Sequence, residues 1–113
     1  MLDSRSDDGR YSVVHRLGHG DGLDMVTESQ IRDLLAELDG DDPEHPDVWI
    51  TDEETGWELV AAGSPSVTLV LQNEDDESPR RTMTGVSRDR AVDLYLKLVA
   101  ERLDELLAEP WDR

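Results

Sequence analysis

The sequence predicts a two-layer α+β fold: an antiparallel meander of three to four strands with an N-terminal helix and a long C-terminal helix packed on it. Three observations carry this reading. A capped, amphipathic stretch lies near residue 30, three short apolar runs follow between residues 48 and 72, and a second capped apolar stripe runs from residue 88 almost to the end.

Residues 1–24 are polar and glycine-rich apart from Tyr11-Ser12-Val13-Val14, which reads either as a short strand or as part of a tethered arm. The segment is expected to be a flexible or loosely docked N-terminal arm, with residues 25–113 forming a single α+β domain. Met25 stands directly before the first strong helix signal, so the arm also reads as an extension ahead of the functional domain.

That signal is Thr27-Glu28-Ser29-Gln30, which has the spacing of a capping box. The Thr hydroxyl accepts from the third amide of the helix and the Gln side chain returns to the cap amide. Ile31, Leu34, Leu35 and Leu38 then recur on one helical face, and Gly40 supplies a stop.

Asp41-Asp42-Pro43-Glu44-His45-Pro46 reads as a turn-rich connection, since each proline disfavours helix in the residue before it. The strand candidates are Val48-Trp49-Ile50-Thr51, Trp57-Glu58-Leu59-Val60-Ala61 and Ser66-Val67-Thr68-Leu69-Val70-Leu71-Gln72. Asp52-Glu53-Glu54-Thr55-Gly56 fits a hairpin loop between the first two. In the third, Val67, Leu69 and Leu71 form an apolar face and Thr68, Val70 and Gln72 a mixed one, which suits a central strand. Arg80 to Val86 reads as a fourth strand. The short connections favour antiparallel pairing.

Ser87 is expected to cap a helix from about Arg88 to Ala108, with Asp89 in the first turn, where the helix dipole favours an anion. Ala91, Leu94, Tyr95, Leu98, Arg102 and Leu106 form one stripe, widened by Leu96, Val99, Leu103 and Leu107. Trp111 is expected to fold back as an apolar cover.

With 113 residues the chain supports one hydrophobic core. Its formal charge of -17, from 28 Asp and Glu against 11 Lys and Arg, exceeds what solubility requires and costs stability through self-repulsion. Such a balance argues against nucleic acid and against an anionic membrane surface, both of which call for clustered Lys and Arg. Basic proteins, cations or a salty cytoplasm remain as explanations. Cysteine is absent, which removes disulfides, thiolate metal sites and Cys nucleophiles. No apolar run approaches the length of a membrane span and no secretory leader is visible, so the expectation is a cytoplasmic protein.

Between Arg32 and Arg80 there is no Lys or Arg but there are 15 Asp or Glu. One reading is a contiguous negative surface built on the end of the first helix and the first hairpin, where Asp39, Asp41, Asp42, Glu44, Asp47, Asp52, Glu53, Glu54, Trp57 and Glu58 meet a basic site and speed association. The competing reading is solvated loops in an acid-rich proteome, adapted to a salty cytoplasm with no dedicated partner. Of Trp49 and Trp57, one is expected in the core and the other at a partly exposed anchor position.

Chemistry-bearing constellations are weak. His15, His19, Asp21 and Asp24 are acceptable metal ligands, yet the glycines among them predict no helix to align the two His, so no metal site is expected. The Asp39 to Glu44 cluster lacks the pattern of a Ca²⁺ loop. No phosphate loop, nucleophile elbow or catalytic triad is visible, so neither a catalytic residue nor a cofactor is expected.

The segment from Gly85-Val86-Ser87-Arg88-Asp89-Arg90-Ala91 to Glu109-Pro110-Trp111 resembles the tails of small acidic actinobacterial proteins. From Met25 onward, size, charge, element order and an apolar C-terminal helix ending at a Trp resemble the immunity proteins encoded beside bacterial polymorphic toxins. That resemblance implies a small, cytoplasmic, non-enzymatic inhibitor that neutralises a cognate toxin by occluding its basic site. It carries over no residue by position.

Overall fold

The computed structural model describes residues 10–14, 20–23, 25–39, 47–63, 66–73 and 80–111. Asp41, Asp42 and Glu44, and His15, His19 and Asp24 of the histidine cluster, lie outside these residues.

The described strands are β1 (Tyr11–Val14), β2 (Gly20–Leu23), β3 (Asp47–Asp52), β4 (Trp57–Ala62), β5 (Val67–Asn73) and β6 (Arg81–Val86). They form one antiparallel sheet in the order β2-β1-β3-β4-β5-β6. The helices are α1 (Glu28–Ala36), continued by a 3₁₀ turn at Glu37–Asp39, then α2 (Arg88–Val99) and α3 (Leu103–Leu107). The α+β class therefore stands, with two corrections to its detail.

The first concerns strand number. The expected three to four strands are joined by β1 and β2, so two stretches of the segment read as an arm, residues 11–14 and 20–23, supply one flank of the sheet. Tyr11 and Val13 face the core at 2% and 5% exposure, and Tyr11 Oη donates to the Val99 carbonyl at 3.0 Å. The sequence of β2, Gly20-Asp21-Gly22-Leu23, pairs through main-chain groups and has no β-branched residue to announce a strand.

The second concerns the C-terminal helix, which breaks after Val99. Ala100 closes α2, Glu101 takes a left-handed conformation (φ 63°), and the Arg102 amide donates to the Lys97 carbonyl at 2.9 Å. This is the hydrogen-bond arrangement of a helix end that usually carries Gly. Glu101 sits in that place, and α3 then runs on to bury Leu106, while the Trp111 indole donates to the Leu106 carbonyl at 2.8 Å and covers the end of the core as expected.

Both expected N-caps form. Thr27 accepts from the Gln30 amide while the Gln30 side chain accepts from the Thr27 amide, and Ser87 accepts from the Arg90 amide. On α1 the residues Ile31, Leu34 and Leu35 are buried. On α2 they are Ala91, Val92, Leu94, Tyr95 and Leu98.

Strand side chains alternate between faces, so register sorts them into rows across the sheet. Val13, Ile50, Leu59 and Leu71 make one row and Val48, Ala61, Leu69 and Met83 the next. Apart from half-buried Met83, all of these are buried against the helices. Tyr95 ties the two layers together, its phenol donating to the Leu59 carbonyl at 2.8 Å from a fully buried position. Among the described residues no helix is long and apolar enough to cross a membrane.

Candidate functional site

The acidic surface expected on the first hairpin is divided by the sheet into three unlike parts. Asp52 points into the helix side at 3% exposure, where the Arg10 guanidinium grips its carboxylate with two hydrogen bonds of 2.9 and 3.0 Å. Arg10 also reaches Glu101 at 3.2 Å and Glu54 at 3.7 Å, and lies 5.4 Å from the centre of the Tyr11 ring. Burial pushes the Asp52 carboxyl up. Hydrogen bonds from Arg10, the Glu54 amide and Thr55 outweigh that and hold it below its ordinary value. Its hydrogen bond to Asp52 raises the Arg10 guanidinium above its already high value, against the effect of burial.

Trp57 is likewise taken from the expected surface. At 7% exposure it belongs to the helix-side core, with the Arg81 guanidinium 5.6 Å from its ring centre. Both residues lie on the core side because Asp52 and Trp57 share the parity of Ile50 and Leu59. Glu53 and Glu54 remain exposed at the turn, which is tied down by the Glu53 amide donating to the Arg10 carbonyl at 2.8 Å and the Gly56 amide donating to the Asp52 carbonyl at 2.8 Å. Asp39, exposed after α1, is held by Arg88 in a forked pair at 2.9 and 3.3 Å.

Asp47 and Glu58 alone among the described candidates lie on the sheet face turned away from the helices. They line a cavity of about 320 Å³ together with Trp49, Val60, Val70, Gln72 and Arg80. Its apolar floor is Trp49, Val60 and Val70, part of a row that crosses four strands, Val14-Trp49-Val60-Val70, with Thr82 next on β6. Every member of that row is half-buried. The neighbouring row is polar: Ser12, Thr51, Glu58 and Gln72. There Glu58, at 8% exposure, accepts from Thr51 Oγ1 at 2.9 Å and from Gln72 Nε2 at 2.6 Å. On the other side of the apolar row stand Asp47, Ala62 and Thr68.

Local sequence pointed to the carboxylates and to one of Trp49 and Trp57 as a partly exposed anchor, a place Trp49 takes, but missed Val60, Val70, Gln72 and Arg80. The mixed alternation of Val70 and Gln72 is visible in the sequence. Their alignment with Trp49 and Arg80 depends on the pairing register of four strands.

A second, similar-sized cavity, about 340 Å³, lies on the helix side between Val26 and the outer surface of α2. Its cations are already engaged in part: Lys97 pairs with Glu109 and Asp93, and Glu109 also holds Arg90. Among the described residues no group of His, Asp or Glu is arranged to hold a metal ion. No family model, curated protein or solved structure matches this chain.

Proposed function

We propose that the chain is a non-enzymatic binding protein of immunity type, acting in the cytoplasm, that engages a basic protein and blocks it by covering its basic site. The observation that supports this is the open sheet face, where an apolar row centred on Trp49 is bordered by the carboxylates of Asp47 and Glu58. Interfaces commonly combine an aromatic anchor with a polar rim, and a basic partner complements a rim of this sign. The -17 net charge adds long-range steering. Glu53 and Glu54 at the adjacent turn contribute to the encounter rather than to the anchored contact.

The test is capture from native lysate on the immobilised full chain, followed by binding kinetics with the purified captured protein. The double variant Asp47→Lys/Trp49→Ala is expected to lose at least about tenfold in affinity, mainly through faster dissociation. Glu53→Lys/Glu54→Lys is expected to slow association and flatten its dependence on salt, with little change in dissociation. Wild-type affinity in the open-face variant would overturn the reading.

A second reading, acidity as adaptation to a salt-rich cytoplasm, is favoured by the exposed carboxylates spread over the helices, among them Asp33, Asp89, Asp93, Asp104 and Glu105. It needs no partner.

A further inference from the structure

We propose that the open-face cavity seats one arginine side chain of the basic partner, with its guanidinium at the Asp47 end. The inference rests on the reading that this face engages a basic protein, and adds the chemistry and direction of the contact.

The cavity is polar at both ends and apolar between them. Asp47 lies two residues before Trp49 on β3, whereas Glu58 and Gln72 belong to the row two residues beyond it. At about 3.3 Å per strand residue, the two carboxylate-bearing rows are roughly 13 Å apart, with Trp49, Val60 and Val70 between them. An elongated side chain with an apolar stem and a polar head fits this layout, and the volume of about 320 Å³ admits it.

Two features distinguish the ends. The Glu58 carboxylate already accepts hydrogen bonds from Thr51 and Gln72. Arg80, the residue before β6, lines the cavity near that same end, because Arg81 pairs with Leu71 and so Arg80 follows beside Gln72. A second cation is therefore repelled from the Glu58 end and finds its carboxylate at Asp47. Arginine suits the site better than lysine. Its planar guanidinium is less strongly hydrated, packs on an aromatic ring such as Trp49, and can bind a carboxylate in a forked geometry.

The experiment is an NMR titration of the folded, isotopically labelled full chain, with the Trp49 indole N–H assigned through Trp49→Phe. The probes are the capped peptides acetyl-Gly-Arg-Gly-amide and its Lys, citrulline and Glu counterparts. The Arg peptide is expected to shift Trp49, Val60 and Val70 saturably, the Lys peptide more weakly, and the citrulline and Glu peptides not at all. Asp47→Asn is expected to weaken the Arg peptide about tenfold, whereas Arg80→Ala strengthens it.

An Arg peptide that leaves Trp49 unmoved, or equal binding by citrulline, overturns the arginine seat. Weakening by Arg80→Ala, or none by Asp47→Asn, overturns its direction. If the open-face double variant still abolishes partner capture while the Arg peptide has no effect, the arginine seat alone fails and the functional reading survives. If partner capture is unchanged as well, both fall.

Discussion

At the scale of single residues, acidic character in the sequence did not foretell position. Asp52, Glu53 and Glu54 are consecutive and look alike, yet the first is buried under Arg10 and the other two face solvent. The difference arises from strand parity and from a cation 42 residues away, neither of which local composition records. A pH dependence follows. Because the folded state holds Asp52 below its ordinary value, the associated stability is present above the unfolded value, about pH 4, and is lost as pH falls through the folded value. Asp52→Asn is expected to cost about 2 kcal/mol at neutral pH, since it leaves the Arg10 guanidinium without its charged partner. Urea unfolding between pH 7 and pH 3 should show a shallower acid loss in the variant than in the wild type. Parallel curves would mean that the Arg10–Asp52 pair does not contribute to acid sensitivity.

Secondary-structure elements were legible where side chains carry the signal. The two N-caps, the strands β3 to β6 and the apolar stripes could be read because capping boxes and period-two or helical spacing are local properties. Elements defined by main-chain pairing were not legible. This explains β2, and also the break in the C-terminal helix, where a Glu occupies a left-handed position that a sequence reader reserves for Gly. The side-chain burial of β1 gives a direct measure of its importance. Tyr11→Ala is expected to destabilise by about 3–5 kcal/mol through the lost aromatic packing. Tyr11→Phe should cost about 1 kcal/mol through the lost hydrogen bond to the Val99 carbonyl. Denaturant midpoints distinguish the two, and an unaffected Tyr11→Ala variant would mean that β1 adds nothing to stability.

For the whole molecule, the interval without Lys or Arg was legible in the sequence, and the structure shows how cations from outside it enter. Arg10 meets Asp52, Arg88 meets Asp39, and Arg80 joins Asp47 and Glu58 around one cavity. The candidate site could not be read in full, because its apolar floor is assembled from residues on three strands. The remaining net repulsion predicts that added salt stabilises the fold. Raising KCl from about 50 mM to 1 M contracts the screening length from roughly 14 Å to 3 Å. Each kcal/mol of repulsion relieved should raise the thermal midpoint by about 4–8 °C. A chain that folds cooperatively already at low salt, with this modest shift, fits the binding-protein reading. A chain that folds only in molar KCl fits the salt-adapted one.

The Tyr11 contact with Val99 bears on the order of events during synthesis as well. It spans 88 positions, so the first strand is made long before the helix that completes its surroundings. β1 also waits for β3 to emerge before it gains its inner neighbour. The portion ahead of α2 should therefore have no independent stability, and the described fold should close as a unit only once α2 has emerged. Until then, mutual repulsion among its carboxylates would keep the growing chains apart.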